Sequence, residues 1–208
     1  MPSLIENTGR EFLYLLESTG RMGMFFAAAV INVFRPPYSI HPIIRQIYFF
    51  GARSVTVILV TGLFTGMVLG LQGYYNLKKF GSEELLGSAV ALSLIQELGP
   101  VLTALMVIGR AGSAICAEIG IMRHSEQIDA LECMAIDPVK FLVSPKFVAA
   151  LLSLPALAFI FNVVGILGGY VAGVVVLDVP EGAYFQGMYD SVAWADIRLC
   201  GIKAMIFG

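Results

Sequence analysis

Charged residues are scarce in this sequence. Only 13% of its 208 residues are Asp, Glu, Lys or Arg, whereas 58% are hydrophobic and the mean hydropathy is +0.83. A soluble domain is about one quarter charged and about half apolar, so the composition argues against a water-soluble globule. The 13 basic and 15 acidic residues give a net charge of −2, without the broad basic surface that nucleic-acid binding needs. We therefore expect no nucleic-acid partner.

Residues that could form a catalytic or metal centre are also few. The three cysteines, Cys116, Cys133 and Cys200, are far apart, and we interpret them as small apolar residues. The two histidines, His41 and His124, have no clustered acids beside them. A phosphate-binding GxxxxGKS/T loop and an HExxH motif are both missing. We expect no catalytic residue, metal or cofactor in this chain, so any ATP would be hydrolysed by a partner chain.

Long apolar stretches dominate instead. Ser54 to Leu77 and Phe147 to Leu177 contain no charged residue, and each exceeds the roughly 20 residues that a membrane-spanning helix needs. Leu85 to Gly109 is apolar except for Glu97 at its middle, and a last stretch begins near Ile197 but is too short to span. We predict an all-α membrane protein with three spans and the start of a fourth, in a chain that continues beyond residue 208. The predicted ranges are 45–77, 85–112, 141–177 and, for the partial span, 196–208.

The first 35 residues predict an amphipathic helix. Its charges form two pairs spaced four residues apart on one face, and apolar side chains lie opposite. The pairs are Glu6–Arg10 and Glu17–Arg21. We expect this helix to lie in the membrane interface; a soluble helix that covers a partner protein is the alternative. Arg35–Pro37 and His41–Pro42 are expected to end it.

Lysine and arginine are distributed unevenly around the spans. Five precede the first span and four lie between Arg110 and Lys146, whereas none lies between Asp178 and Asp190. Since basic residues favour the cytoplasmic side, we predict a cytoplasmic amino terminus, a cytoplasmic 117–137 region and a periplasmic 178–195 loop. Lys78 and Lys79 are a mild exception to this rule.

Glycines recur every four residues in two of the spans, which favours close helix packing. They are Gly62, Gly66 and Gly70 in the first span and Gly165, Gly169 and Gly173 in the third. We predict that the first set lines a helix contact near a dimer axis or a lipid path. Pro155 and the Gly99–Pro100 pair are expected to bend their helices.

A short two-faced helix is predicted between the second and third spans, from Ser125 as N-cap to Ala135. Asp137–Pro138 should end it and cap the next helix. An ordinary solvated loop helix is the alternative. The apolar arc holds Ile128, Leu131, Met134 and Ala135, and the acidic arc holds Glu126, Asp129 and Glu132.

At these residues the chain resembles the MlaE (YrbE) permease family. The resemblance runs from about residue 40 to the end and includes Lys203 and Phe207–Gly208. Family members are membrane subunits of bacterial lipid ABC transporters that work with MCE proteins, and five spans are expected in a full chain. The motifs are Gln96-Glu-Leu-Gly-Pro100, Gly109-Arg-Ala-Gly-Ser-Ala114, Ala117-Glu-Ile-Gly-Ile-Met-Arg123, Glu126-Gln-Ile-Asp-Ala-Leu131 and Asp137-Pro138.

The resemblance implies a homodimer in the bacterial inner membrane that binds two MlaF-type ATPases, which carry the ATP-Mg. A hexameric MCE protein similar to MlaD and a STAS-domain protein similar to MlaB would complete the assembly. The substrate would be phospholipid moved between the inner membrane and the MCE protein, which maintains outer-membrane lipid asymmetry. Proton-coupled transport through Glu97 is the main alternative, since an acid within a span is a functional candidate. A scaffold that transports nothing is the third hypothesis.

The resemblance also implies site residues. Gln96, Glu97 and Lys203 fall near the family's lipid pocket, and the glycine run adds Gly66 and Gly70 to it. Glu97 and Lys203 either pair directly or line a wet pocket for the headgroup, and we favour the pocket. The expected ATPase-coupling residues are Glu118, Met122, Arg123, Glu126, Gln127, Ile128, Asp129, Leu131 and Asp137.

Overall fold

The computed structural model describes residues 2–33 and 40–208, with side chains from residue 9 to 32 and from 41 onward. Every regular element in these ranges is helical, which confirms the all-α prediction. The helices are α1 (Pro2–Val33), α2 (Ile40–Phe50), α3 (Ala52–Lys78), α4 (Leu86–Ser93), α5 (Gly99–Val107), α6 (Ser113–His124), α7 (Gln127–Cys133), α8 (Ser144–Tyr170), α9 (Glu181–Ser191) and α10 (Trp194–Phe207).

Three stretches are long and apolar enough to cross a membrane within the described ranges, as the sequence predicts. They are His41–Lys78, Glu83–His124 and Val139–Val176. The first contains α2 and α3, the second contains α4, α5 and α6, and the third contains α8 with a π-helical turn at each end. Four turns in these stretches are π-helical: Leu94–Leu98, Ile108–Gly112, Val139–Val143 and Val171–Val176.

Proline has a different effect at each position. Pro100 lies in the first turn of α5, directly after the π-helical turn Leu94–Leu98, here called the 94–98 turn. Pro155 lies inside α8, which continues without interruption. Pro42 lies in the first turn of α2, so the prediction that His41–Pro42 ends a helix is wrong. A proline is tolerated there because the first N–H groups of a helix have no intrahelical partner. Residues 35–37 lie outside the described ranges.

The centre of the fold is the contact between α3 and α8, which run side by side in the same direction. Gly62, Gly66 and Gly70 on α3 face Phe161, Gly165 and Gly169 on α8. A Cβ atom added at Gly66 would lie 1.8 Å from the Gly165 carbonyl oxygen, so only glycine fits. The predicted helix contact is therefore confirmed, with its partner surface in the same chain. Its relation to a dimer axis or lipid path stays a prediction.

α1 joins the bundle only through its final turns. Ala29 is buried, the Phe26 and Phe147 rings meet edge to face at 6.2 Å, and Asn32 donates a hydrogen bond to the Asp137 carboxylate at 3.4 Å. The predicted Glu17–Arg21 pair is confirmed at 3.2 Å, whereas the Glu6 side chain lies outside the described ones. The large apolar side chains from Phe12 to Phe26 are exposed, and the interfacial position of α1 stays a prediction.

The 178–195 segment contains a helix, α9, that the sequence reasoning missed. Its Tyr184 is fully buried against α4, and the phenol donates a hydrogen bond to the Ile166 carbonyl at 3.0 Å. Burial raises the pKa of Tyr184 to about 12. This packing ties the connection between α8 and α10 to the second span.

Candidate functional site

Glu97 and Lys203, more than one hundred residues apart, form an ion pair. The 94–98 turn carries Glu97, and the Lys203 ammonium on α10 lies 3.0 Å from its carboxylate oxygen. The same ammonium donates to the Gln96 carbonyl oxygen at 2.7 Å. The Glu97 side chain is nevertheless 72% exposed and that of Lys203 37% exposed. Direct pairing, the first predicted arrangement, is present at the surface of the single chain.

Asp196 is a site residue that the sequence reasoning missed. One of its carboxylate oxygens accepts a hydrogen bond from the Gln96 side-chain amide at 2.9 Å, and the other accepts from the Ala193 N–H at 3.0 Å. Asp196 therefore caps the start of α10 and holds Gln96. Its spacing of seven residues from Lys203, two helical turns, places both on one face of the helix and was the available signal.

A buried hydrogen bond between α8 and α10 lies behind the surface that carries the ion pair. The Asn162 amide donates to the Cys200 sulfur at 3.2 Å, and both residues are buried. The Asn162 side-chain oxygen fills the space beside Gly99, where an added Cβ atom would lie 1.9 Å away. Helices α5, α8 and α10 thus meet directly behind the ion pair, which fixes the position of Lys203.

We call Gln96, Glu97, Asp196 and Lys203 the polar cluster. An apolar groove of about 300 Å³ is formed by two of the same elements, the 94–98 turn and α10. Ile95 comes from the 94–98 turn and Ile197 from α10, each next in sequence to a polar residue of the cluster. The groove is lined by Ile95, Met188, Tyr189, Val192, Trp194 and Ile197. Within the described ranges, no group of three or more His, Cys, Asp or Glu could hold a metal ion.

Gly66 and Gly70, assigned to the same pocket from sequence, are buried in the α3–α8 contact. Their missing side chains make room for the α8 backbone. The structure thus brings together Gln96, Glu97 and Lys203, and it gives the two glycines a packing role. Their part in a substrate pocket stays a prediction.

The predicted helix between the second and third spans is shorter than expected. Ser125 is not its N-cap, because the Ser125 hydroxyl donates back to the Ile121 carbonyl at 2.7 Å and so ends α6. Glu126 has a positive φ of 56°, which turns the chain before α7 begins. Ala135, with a φ of 57°, lies beyond the end of α7. The helix is therefore Gln127–Cys133.

The predicted coupling residues on α7 differ in exposure. Asp129 pairs with Arg123 across the corner between α6 and α7. Ile128 and Leu131 are half-buried, so part of the apolar arc packs on the chain itself. Met134 is 61% exposed. The remaining coupling residues on this segment are the half-buried Met122 and the exposed Glu126 and Gln127.

Two further predicted coupling residues have partners within the chain. The buried Lys146 ammonium on α8 donates to the Glu118 carboxylate on α6 at 2.6 Å. The Asp137 carboxylate accepts from the Val139 N–H at 2.9 Å and the Lys140 N–H at 3.4 Å, which confirms its predicted capping role. Both contacts join the α7 region to the start of the third span.

Arg110 is the second residue of the quoted motif Gly109-Arg-Ala-Gly-Ser-Ala114 and has no role predicted from sequence. Its guanidinium donates to the Ser54 hydroxyl at 2.8 Å and the Phe49 carbonyl at 3.4 Å. It also lies 5.7 Å from the centre of the Phe49 ring. The second span therefore holds the junction between α2 and α3.

The family profile described as permease MlaE matches residues 43–208. An intermembrane phospholipid transport system permease protein MlaE from Haemophilus influenzae is 42% identical, over 99% of this chain and 79% of its own length. A probable ABC transporter permease protein from Rickettsia felis is 39% identical, over 99% and 80%. A probable ABC transporter permease from Synechocystis is 35% identical, over 79% and 63%. The chain belongs to the MlaE permease family.

Proposed function

We propose that this chain is the membrane subunit of an ABC transporter that moves phospholipids. The observation that carries the proposal is the exposed Glu97–Lys203 pair beside an apolar groove, where the second candidate span meets α9 and α10. A phospholipid combines a charged headgroup with apolar acyl chains, and this surface offers a partner for each. The name of the Haemophilus relative supports the same substrate class.

The exposed Glu97 carboxylate must be shielded from the acyl chains of the membrane. A charge at the centre of a spanning helix costs about 2.5 to 3.5 kcal/mol, so it must face protein, water or a headgroup. Lys203 covers only part of the Glu97 carboxylate, whose side chain stays 72% exposed. We propose that a second copy of the chain encloses this surface, which makes a wet pocket at a dimer interface. There Lys203 attracts the lipid phosphate and Glu97 orients the headgroup.

Energy would come from a separate, MlaF-like ATPase that docks on α7. This assignment rests on the length and position of α7, a short helix between two spans with exposed Gln127 and Met134 at its ends. Movement of such a helix can be transmitted to both spans as a rigid-body shift. The proposal places the amino terminus and α7 on the cytoplasmic side of the inner membrane. The proposed assembly also includes a MlaD-like MCE protein and a MlaB-like STAS protein. Its proposed role is to maintain the lipid asymmetry of the outer membrane.

Proton-coupled transport is the second candidate, and the exposure of Glu97 within a span favours it. The lysine at 3.0 Å argues against it, because it gives the carboxylate a charge partner within the chain, so the position of the acid in a span does not by itself indicate a proton carrier. The two candidates also differ in their source of energy. An ABC transporter needs nucleotide hydrolysis, and a proton-coupled carrier needs a pH gradient.

The test is lipid transfer by the purified complex in vesicles. The chain is expressed with its co-encoded ATPase, reconstituted, and supplied with a fluorescent phospholipid and an acceptor MCE protein. We expect transfer that requires ATP, stops with an ATPase variant unable to hydrolyse it, and is unaffected by collapse of a proton gradient. Transfer by the chain alone that follows the gradient would establish the second candidate. A complex that hydrolyses ATP without moving phospholipid would overturn the substrate assignment.

A further inference from the structure

Pro100 removes a hydrogen-bond donor from the second span. In an α-helix the carbonyl of residue 96 accepts from the N–H of residue 100. A proline at residue 100 has no N–H, and its ring crowds the carbonyl four residues earlier. The backbone widens at this point into the 94–98 turn, where the Gly99 N–H bonds to the Leu94 carbonyl. The Gln96 carbonyl is therefore left without its α-helical donor.

A side chain from another helix supplies a donor to this carbonyl. The Lys203 ammonium on α10 lies 2.7 Å from the Gln96 carbonyl oxygen, closer than the 3.0 Å to the Glu97 carboxylate. An ammonium group has three N–H donors, so one lysine can serve both acceptors. Asp196 holds the Gln96 side chain from the same face of α10. Two side chains of α10 therefore bind Gln96, one at its backbone carbonyl and the other at its side-chain amide.

We propose that Lys203 is a positioning residue that replaces the peptide N–H missing at Pro100, and that it thereby fixes the turn that presents Glu97. The same Lys203 ammonium also forms the ion pair with Glu97. The role does not depend on which molecule is transported, so it can fail or hold separately from the proposed function. It also differs from a headgroup contact, because its partner is the backbone of the chain itself.

The first test asks which substitution compensates for loss of the lysine. Lys203→Met should lower the melting temperature of the detergent-purified protein by about 4 °C or more, since the half-buried Gln96 carbonyl loses its partner. Pro100→Ala returns an N–H to the chain and should recover at least half of that loss. Glu97→Gln removes the unpaired acid and should recover only the remainder. Pro155→Ala in α8 is the matched control for removal of a proline and should recover nothing.

The second test isolates the backbone bond from the ion pair. A nitroxide label is attached through Glu97→Cys, in a chain whose exposed Cys116 and Cys133 are replaced by serine and whose buried Cys200 is kept. No carboxylate remains at position 97, so the ion pair is absent from every variant. Lys203→Met should still raise the mobility of the label, and Pro100→Ala should restore the original spectrum.

Several outcomes would overturn the proposal. They are a melting temperature unchanged by Lys203→Met, full rescue by Glu97→Gln with none by Pro100→Ala, equal rescue by Pro155→Ala, and label mobility that does not respond to Lys203. Should Lys203→Met fail to accumulate, the yield of the double variants becomes the measurement, with the same expected order. Lys203→Arg retains N–H donors and should keep most of the wild-type yield.

Discussion

Two lysine–glutamate pairs of similar length differ sharply in their surroundings. Lys146 and Glu118 are 2.6 Å apart, and the Lys146 side chain is only 8% exposed. Lys203 and Glu97 are 3.0 Å apart, and both side chains are far more exposed. We call the region of α3, α6 and α8 with the first pair the closed side. We call the 94–98 turn and α10 with the second pair the open side.

The difference separates a structural ion pair from a functional one. On the closed side, the Lys146 ammonium is buried and its Glu118 partner is half exposed, and further along α8 the glycine contact packs two helix backbones together. On the open side, the pair lies beside an apolar groove and keeps part of each charged group accessible. We expect the first pair to stabilise packing, and we propose that the second takes part in recognition. Substitutions on the closed side should change stability, and those on the open side should change transport.

The largest effect is expected at the glycine contact. Gly66→Leu places a side chain where even a Cβ atom would lie 1.8 Å from the α8 backbone, so the helices must separate. Overpacking of this kind costs about 3 kcal/mol or more. Membrane insertion should persist, because leucine is favourable in lipid. Thermal unfolding in detergent measures the loss, and Gly109→Ala, which meets no atom within 4 Å, is the control. A Gly66→Leu protein with wild-type stability and lipid transport would contradict the prediction.

The next effect concerns the closed ion pair. Glu118→Gln leaves the buried Lys146 ammonium without its carboxylate, and an uncompensated buried charge destabilises by about 3 kcal/mol. Glu118 itself is 50% exposed, which lowers the expected cost to about 2 kcal/mol. Lys146→Met in the same chain should recover most of it, because neither charge is then left alone. If Glu118→Gln unfolds like the wild type and releases the ATPase instead, Glu118 is a docking residue as the sequence suggested.

Much of the architecture follows from sequence because it depends on simple physical limits. Long apolar runs, two of them free of charge, define the three spans, and glycines at four-residue spacing indicate the helix contact. The spacing of Ser125 from Ile121 shows where such reasoning fails. Both an N-cap and a bond to the preceding turn are local options for serine, and only the positive φ of Glu126 in the fold decides between them.

The candidate site was only half predictable. Glu97 and Lys203 attract attention because charges are costly in a membrane. Asp196 and Lys146 lie near the ends of helices, where charge is ordinary, so their roles depend on which helices meet. Glu118 was grouped with the ATPase contacts from its motif, yet its carboxylate pairs with α8. Sequence identifies the unusual residue, and the fold supplies its partner.

A smaller loss of stability is expected on the open side. Glu97→Gln and Lys203→Met should each cost about 1 to 2 kcal/mol, because both side chains already have access to the surroundings. In the double variant, the loss of stability caused by breaking the ion pair should be recovered. The loss caused by the unpartnered Gln96 carbonyl should remain. Lipid transfer and lipid-stimulated ATP hydrolysis should stay lost in the double variant. Full recovery of transport would show that the pair is structural, which would remove the contrast between the two sides.

The smallest effect on folding is expected at the end of α7. Met134 is 61% exposed, and exposed substitutions change stability by about 0.5 kcal/mol or less. If an ATPase docks on α7, Met134→Asp places an unpaired charge in the contact and should abolish co-purification of the ATPase. Leu131→Asp should also do so, but the half-buried Leu131 makes the chain itself less stable, so Met134 gives the cleaner measurement. Glu132→Gln, an exposed change on the acidic arc outside the expected coupling residues, is the polar control and should retain the ATPase. Retention by Met134→Asp would exclude this end of α7 from the docking surface and restrict coupling to the half-buried arc.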